Sequence, residues 1–207
     1  MKQTDHLRAG RVAVFLDYMN VYKGAREAFF GGWDAHWFGQ IRPMRLGLKL
    51  AGAGDDRRTL ASVQVYRGQP SQTRDPKAAR AFGRQTYVWS QESLTRTVSR
   101  PLNYRTNPPR EKGIDVKLAV DLVAAAIRRE FDVAVVFSGD TDLLPALELV
   151  ADLLGHPAVE VAAWRTTVGE SRPLRINDQH PWCHFLDRTD YDHVADHTDY
   201  TTRARRR

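Results

Sequence analysis

Acidic residues follow two of the most apolar stretches of this 207-residue chain. Asp17 comes directly after the stretch 11–16, and Asp140 and Asp142 belong to a Ser-Gly-Asp-Thr-Asp sequence that follows the stretch 132–137. Because ligands bind outside the carboxyl ends of the strands in a parallel sheet, we expect both groups of acids at one rim. Carboxylate oxygens are the ligands that Mg²⁺ and Mn²⁺ prefer. The pattern therefore predicts an acidic site that binds a divalent cation.

Helix capping is the competing interpretation of these acids. An aspartate at the cap or in the first turn stabilises a helix by roughly 0.5–2 kcal/mol without any ligand. Capping explains a single acid well, but it does not explain why Asp140 and Asp142 stand together and face Asp17. The cluster therefore favours a functional site over capping alone.

A third group of acids lies on a helix predicted from Ile114 to Arg129. At 100° per residue, Asp115 and Asp121 lie about 60° to either side of Leu118, and they share one broad face about 9 Å apart along the axis. An acid within an apolar stretch is costly unless it is paired or bound to a metal. A solvent-facing position stays open for both residues. For Asp121 we expect a supporting role, in which it orients a metal-bound water or pairs with a basic residue.

Positive charge is concentrated in the middle of the chain. The formal net charge of +6, from 31 basic and 25 acidic residues, favours a polyanionic partner. The stretch 57–112 is rich in arginine, and one predicted helix places basic residues at spacings of three or four: Arg74, Lys77, Arg80 and Arg84. We expect this face and Lys112 to contact phosphates, and an ordinary solvated surface is the alternative for each.

Apolar strands alternate with helices along the chain. Strands are predicted at 11–16, 60–66, 95–101, 132–138, 159–164 and 183–186, and helices at 18–30, 42–50, 75–90, 114–129 and 142–154. Continuous apolar strands are typical of a parallel sheet that is covered on both faces. The expected fold is α/β, a doubly wound and mostly parallel sheet with helices on both faces and a Rossmann-like topology.

Composition restricts the class of protein further. Apolar residues make up 42% of the chain and charged residues 27%, which is typical of a globular domain. No apolar stretch approaches ~18 residues and no secretory signal is recognisable, so we expect a cytoplasmic protein with no membrane partner. The single cysteine, Cys183, excludes an intrachain disulfide framework. We expect one domain over residues 1–190 and a flexible, basic-ended tail over 191–207.

Other chemistries fit the sequence less well. A haloacid-dehalogenase-like phosphatase also has Gly-Asp-x-Asp, but it needs an acid two residues after the first one, where this chain has Met19. Neither a Walker A loop nor a Gly-x-Gly-x-x-Gly after a strand is present. The histidines between 180 and 197, with Cys183, have spacings that fit no standard zinc site. Three tryptophans are explained better by packing than by stacking on bases: Trp33, Trp37 and Trp89.

Taken together, these motifs resemble the NYN domains, a family in the PIN-like group of nucleases. The resemblance rests on Phe-Leu-Asp-Tyr-Met-Asn-Val-Tyr from residue 15, Lys-Gly-Ile-Asp-Val-Lys-Leu-Ala-Val-Asp from residue 112, and Val-Ala-Val-Val-Phe-Ser-Gly-Asp-Thr-Asp-Leu-Leu-Pro from residue 133, followed by Val-Glu-Val-Ala. It extends over residues 11–164, and more loosely to 187. The chain departs from the family at Tyr18, where a glycine is common, at Leu143, where an aromatic residue often stands, and in a Trp-rich insertion at 31–56.

The resemblance implies a metal-dependent endoribonuclease that uses Mg²⁺ or Mn²⁺ and has RNA as its partner. By this resemblance the catalytic residues are Asp17, Asn20, Asp115, Asp121, Asp140 and Asp142. The metal ligands among them are Asp17, Asp115, Asp140 and Asp142. Asn20 is expected to orient a carboxylate or to hold a metal-bound water, and the products are expected to carry a 5′-phosphate and a 3′-hydroxyl.

A catalytically weak or inactive NYN-like module, which binds RNA or a regulatory protein partner, is the alternative. Clustered carboxylates repel one another and repel phosphate, so a surface that only binds RNA gains nothing from a complete set of acids. The sequence leaves open the RNA target, the mode of cleavage and whether the chain forms a homo-oligomer.

Overall fold

The computed structural model describes residues 9–31, 35–52, 57–165 and 174–202. The strands are β1 (Gly10–Asp17), β2 (Arg58–Gln69), β3 (Thr95–Pro101), β4 (Val133–Phe137), β5 (Val159–Trp164) and β6 (Trp182–Leu186). The helices are α1 (Tyr18–Phe29), α2 (Pro43–Leu50), α3 (Pro76–Ser90), α4 (Ile114–Ile127), α5 (Leu144–Leu154) and α6 (Arg188–Val194). Every predicted strand and helix is present, and α6 is an additional helix. Within the described ranges, the helices are too short or too polar to cross a membrane.

The six strands form one parallel sheet in the order β3-β2-β1-β4-β5-β6. The order reverses between β1 and β4, which pair from Val12 with Val133 to Leu16 with Phe137. In open α/β sheets, the carboxyl ends of the strands at such a reversal border the crevice where ligands bind. The predicted doubly wound α/β fold is confirmed, and all five strand pairs are parallel.

Apolar side chains cover the sheet on both faces. β4 is buried at every position, as expected of a central strand with a continuous apolar sequence. Val14 and Leu46 belong to the core on the face that α1, α2 and α6 cover. Phe15 and Leu118 belong to the core on the face that α4 and α5 cover. The residues at the carboxyl ends of β1 and β4 therefore belong to strands that are packed on both faces.

Local sequence signals explain where α3 and α4 begin. Asp75 caps α3 by accepting a hydrogen bond from the backbone N–H of Ala78 at 3.0 Å, and Pro76 occupies the first helical position. Gly113 precedes α4 with a φ of +73°, a left-handed conformation that glycine adopts without strain. This sharp turn places Asp115 in the first turn of α4.

The chain after residue 190 packs against the domain as far as Tyr200, which corrects the expectation of a flexible tail from 191. Tyr191 and Tyr200 are buried, and the Tyr200 hydroxyl donates a hydrogen bond to Asp196 at 2.7 Å. The burial of these rings offsets the entropy that ordering costs. Because many charged residues surround these two tyrosines, the sequence pattern predicted a solvated tail and not a packed segment. Residues 203–207, the basic end of the expected tail, lie outside the described residues.

The three tryptophans differ in their surroundings. Trp89 is buried in the core, as expected, and Trp37 is half-buried. Trp33 lies outside the described residues. The insertion at 31–56 supplies α2, so part of it serves the core of the domain.

A buried ion pair joins β2 and β5 near their amino ends. Both Nη atoms of Arg58 donate to the carboxylate of Glu160, each at 3.0 Å, and the two side chains are 0% and 2% exposed. The Nε2 atom of His184 lies 2.7 Å from the same carboxylate. This end of the sheet therefore contains a carboxylate whose charge is fully compensated.

Candidate active site

Asp17 is the last residue of β1 and caps α1. Its Oδ1 accepts hydrogen bonds from the backbone N–H groups of Met19 (3.1 Å) and Asn20 (3.2 Å). Its Oδ2 accepts from the side-chain amide of Asn20 at 2.5 Å and from the Ser138 hydroxyl at 3.2 Å. The Asp17 carboxylate is thus a negative charge held in one orientation, and it is only 3% exposed. Of the two roles expected for Asn20, these contacts favour the orientation of a carboxylate.

Asp140 and Asp142 lie on the loop between β4 and α5. The backbone N–H of Asp140 donates to the Ser138 hydroxyl at 3.2 Å, and Asp140 Oδ1 accepts from the backbone N–H of Asp142 at 2.9 Å. Capping therefore accounts for one oxygen of Asp140. Asp142 is exposed in the 3₁₀ turn Thr141–Leu143 that leads into α5. Because Ser138 also donates to Asp17, its hydroxyl connects the β4–α5 loop to the end of β1.

Asp115 joins this cluster from the first turn of α4. Burial raises the pKa of its carboxyl group most, and the charges of Asp17, Asp140 and Asp142 raise it further. Like charges have this effect only when they are close together. The structure therefore brings the acids of β1, α4 and the β4–α5 loop to one rim.

Glu111 is a further acid at this rim, and sequence reasoning missed it. Its carboxylate accepts a hydrogen bond from the backbone N–H of Gly68. Burial is the main cause that raises its pKa, and the charges of Asp17 and Asp115 contribute in the same direction. Gly68 permits the approach, because a Cβ there would lie 2.8 Å from Cγ of Glu111. The only signal in the sequence was an acid four residues before Asp115.

Asp121 contacts the site through its neighbours. It accepts hydrogen bonds from Nζ of Lys117 at 2.5 Å and from the hydroxyl of Tyr66 at 3.0 Å. Tyr66 lies opposite Asp17 in the β1–β2 ladder. Tyr66 therefore lies between Asp121 and the acid that caps α1. Burial and then Asp121 raise the pKa of the Tyr66 hydroxyl. These contacts fit the expected supporting role, in which Asp121 pairs with a basic residue.

The predicted basic face is smaller than expected. Arg74 precedes α3, because the Asp75 cap and Pro76 begin the helix after it, and its guanidinium lies 5.5 Å from the ring centroid of Tyr104. Arg84 donates from Nε to the backbone carbonyl of Tyr200 at 2.7 Å, so it anchors the C-terminal segment. The prediction of one face is therefore corrected for these two arginines. The other predicted cations are exposed: Lys77 and Arg80 on α3, and Lys112 before α4.

Arg67 is a cation beside the site that no spacing in the sequence indicated. It follows Tyr66 on β2, and its Cζ lies 4.5 Å from the ring centroid of Tyr18 and 4.8 Å from that of Phe82. Its Nη1 donates to Oε1 of Gln85 at 2.5 Å. Burial lowers the pKa of this guanidinium. Its role depends on residues from three separate elements, and such a combination leaves no local pattern.

The donor set fits a hard divalent cation by its chemistry. The four aspartates that converge offer carboxylate oxygens, and the charges of the other three add to burial in raising the pKa of Asp115. Among the described residues, however, no three acidic, histidine or cysteine side chains are close enough to hold a metal ion as they stand. A bound cation would therefore have to draw the acids closer together.

Comparisons with known proteins agree with this architecture. A sequence model of a family described as NYN domain matches residues 11–172, more than half of the chain. No curated protein matches the chain. The crystal structure of a protein of unknown function from Vibrio parahaemolyticus is similar, with a TM-score of 0.50 and 19% sequence identity over 77% of this chain and 83% of that chain. At this level of identity the similarity concerns the fold alone.

Proposed function

This chain belongs to the NYN domain family, and we propose that it is a metal-dependent ribonuclease that hydrolyses RNA phosphodiester bonds at the acidic rim. The observation that carries the proposal is the convergence of Asp17, Asp115, Asp140 and Asp142 where the strand order reverses. A carboxyl group whose pKa is raised by burial and by the charges of several neighbouring acids, as that of Asp115 is, is typical of functional sites. Membership of the family supports nuclease activity. RNA as the substrate and a divalent cation as the cofactor are our proposal.

The same four aspartates would hold Mg²⁺ or Mn²⁺. When bound, such a cation lowers the pKa of water and offsets the negative charge that develops on a phosphate. The protein's own contribution is orientation. Asn20 and Ser138 fix the carboxylate of Asp17, and Asp121 fixes the hydroxyl of Tyr66 beside it.

Exposed cations near the rim would attract the RNA backbone. Lys77, Arg80 and Lys112 are the predicted phosphate contacts that stay free of the structural roles found for Arg74 and Arg84. Phosphate contacts of this kind make binding weaken as salt rises. We therefore expect charge reversal at Arg80 to weaken RNA binding and to reduce its dependence on salt.

A module that binds RNA without cleaving it is the second candidate. It is favoured by one observation, that the described residues contain no ready-made group of metal ligands. The two candidates differ in what neutralising an acid does. In a nuclease it removes activity, whereas in a binding module it removes a charge that repels phosphate, and RNA binding becomes tighter.

The test is cleavage of labelled single-stranded RNA by the purified protein with Mn²⁺, with Mg²⁺ and with EDTA. We expect cleavage with either cation and none with EDTA. Asp140→Asn should reduce cleavage by more than ~100-fold, because loss of a direct ligand exceeds the usual cost of losing its supporting partner. Asp178→Asn is the control, since Asp178 is exposed on the loop before β6 and its φ of +61° suits asparagine.

Near-wild-type cleavage by both Asp17→Asn and Asp140→Asn would overturn the nuclease proposal. Absence of cleavage by the wild type, together with tighter RNA binding by Asp140→Asn, would establish the binding module instead. Thermal unfolding of each variant shows that the fold is intact.

A further inference from the structure

A pocket of about 260 Å³ lies beside the acidic rim, between α1 and α3. Most of its wall is apolar. The lining includes Met19 and Tyr22 of α1, Ala78, Ala81 and Phe82 of α3, and the guanidinium of Arg67. This volume is slightly below the range of pockets for drug-sized ligands, so it suits a single flat ring system.

Arg67 gives the pocket a positive charge that is fixed in place. Aromatic rings lie against its guanidinium, and the hydrogen bond to Gln85 sets its orientation. Gln85 is fixed in turn, because its amide donates to the hydroxyl of Tyr18 at 3.0 Å and to Oε1 of Gln40 at 3.2 Å. Nε of Arg67 is buried and has no hydrogen-bond partner in the described part of the chain. A cation that is pre-positioned in this way is suited to an acceptor that comes from outside.

The pocket adjoins the acidic rim through α1 and β2. Met19, which lines it, donates its backbone N–H to Asp17. Arg67 comes directly after Tyr66, the residue opposite Asp17 in the β1–β2 ladder. A polymer with one phosphate at the acids would therefore present its neighbouring unit to this pocket.

Unpaired RNA combines the features that this pocket requires. Proteins bind single-stranded RNA by stacking its bases on aromatic side chains or arginine planes, and by hydrogen bonds to the base edges. The half-buried rings of Tyr22 and Phe82 offer apolar surface, and Arg67 offers donors. A bare phosphate would use the charge but not the apolar wall.

We infer that this pocket binds the base of one unpaired nucleotide next to the scissile phosphate, and that Arg67 donates to an acceptor of that nucleotide. The inference rests on the proposed function, since it takes RNA as the substrate. It adds that the enzyme requires a single-stranded segment at the cleavage site. A base-paired nucleotide keeps its base in the helical stack and cannot enter the pocket.

The first test fills the pocket. Ala81→Leu adds bulk to the pocket wall, whereas Ala79→Leu makes the same change on α3 at a residue outside the lining. Both are measured in an Asp140→Asn background, which prevents cleavage, by fluorescence anisotropy with a labelled single-stranded oligoribonucleotide. We expect Ala81→Leu to weaken binding about 10-fold, within the range for loss of one stacked base, and Ala79→Leu to change it less than about 2-fold.

The second test leaves the pocket intact and removes a base from the RNA. A series of oligonucleotides carries one abasic position, moved along the strand. We expect one position to bind about 10-fold more weakly to the Asp140→Asn protein, and to cause no further loss with the doubly substituted Asp140→Asn/Ala81→Leu protein. Equal losses at every position, no loss at any position, or equal effects of the two leucine variants would overturn the inference.

Hydrolysis of bis(p-nitrophenyl) phosphate with Mn²⁺ separates this inference from the proposed function. Hydrolysis of this phosphodiester requires no RNA, so its rate with the wild type tests the nuclease chemistry by itself. If the wild type cleaves neither RNA nor this ester and the abasic series still identifies one position, the pocket stands and the nuclease proposal fails. If the ester is cleaved, and neither Ala81→Leu nor any abasic position changes the affinity for RNA, the nuclease proposal stands and the inference about the pocket is wrong.

Discussion

The two ends of the sheet treat buried carboxylates in opposite ways. Near the amino ends, Glu160 has a bidentate partner in Arg58 and a further contact to His184. At the carboxyl ends, Asp17 and Asp115 lie among other acids, and the hydrogen bonds that hold Asp17 in the described part of the chain come from neutral donors. Asp17, at the carboxyl end of β1, and Glu160, near the amino end of β5, are both almost fully buried, so burial alone does not separate them.

What separates the two ends is compensation of charge. A buried acid that is paired and hydrogen-bonded fits the folded state, and removal of either partner is strongly destabilising because it leaves an uncompensated charge. Acids left without a cation raise the energy of the folded protein and are retained where a ligand supplies the missing charge. Under the proposed function, we therefore expect substitutions at the amino end to change stability and substitutions at the carboxyl end to change activity.

The largest effect is expected at the amino end. Arg58→Met leaves Glu160 without its bidentate partner, so we expect the free energy of unfolding to fall by about 3–5 kcal/mol. Urea denaturation measures this change. Activity per folded molecule should stay unchanged, because the pair lies at the opposite end of the strands from the acidic rim.

Arg128→Met is the matched control for the same kind of pair on the surface. Arg128 and Glu130 are 66% and 51% exposed, so loss of their contact should cost less than about 1 kcal/mol. Equal destabilisation by the two variants would mean that the buried Arg58–Glu160 pair contributes no more to stability than the exposed Arg128–Glu130 pair. Loss of cleavage by well-folded Arg58→Met would contradict the division between the two ends.

Asp121 sharpens the comparison, because it is an acid near the rim that does have a cationic partner. Asp121→Asn frees Lys117 and weakens the hydrogen bond that holds Tyr66, so we expect a ~10–100-fold loss of cleavage. A Mn²⁺ titration should restore part of it. Complete inactivity at every Mn²⁺ concentration, with the fold intact, would make Asp121 a direct metal ligand, and no change at all would remove it from the site.

The smallest effect concerns the stability of the metal-free protein. The pKa of Asp115 is raised in the folded state, so folding binds its proton more tightly, and stability falls as pH rises from the ordinary aspartate pKa through the raised one. At neutral pH, Asp115→Asn should therefore be more stable than the wild type in EDTA. The gain should be at most ~1 kcal/mol, because solvent screens a partly exposed group.

Urea denaturation at acidic and neutral pH tests this sign. The difference between Asp115→Asn and the wild type should be smallest below the ordinary aspartate pKa and largest at neutral pH, and Mn²⁺ should reduce it. Asp178→Asn should show no such trend. A wild type that is more stable than Asp115→Asn at neutral pH without metal would mean that the acids do not repel one another in the folded state.

The sequence by itself determined the strands, most of the helices and the placement of Asp17, Asp140 and Asp142. Continuous apolar runs are local patterns, and the topology of a parallel sheet brings the ends of its strands to one edge. The sequence could not reveal that the segment after residue 190 is anchored by Tyr191 and Tyr200, because its few buried rings lie among charged residues.

Only the tertiary structure decided the partners of the site residues. Arg67 and Glu111 reach the rim because β2 lies beside β1 and the chain turns at Gly113 before α4. Arg84 and Asp121 look like surface charges on their helices, yet they bind the backbone of Tyr200 and the hydroxyl of Tyr66. Hydrogen bonds and charges act between atoms that are close in space, and residues far apart in sequence become close only when the strands pair and the helices dock.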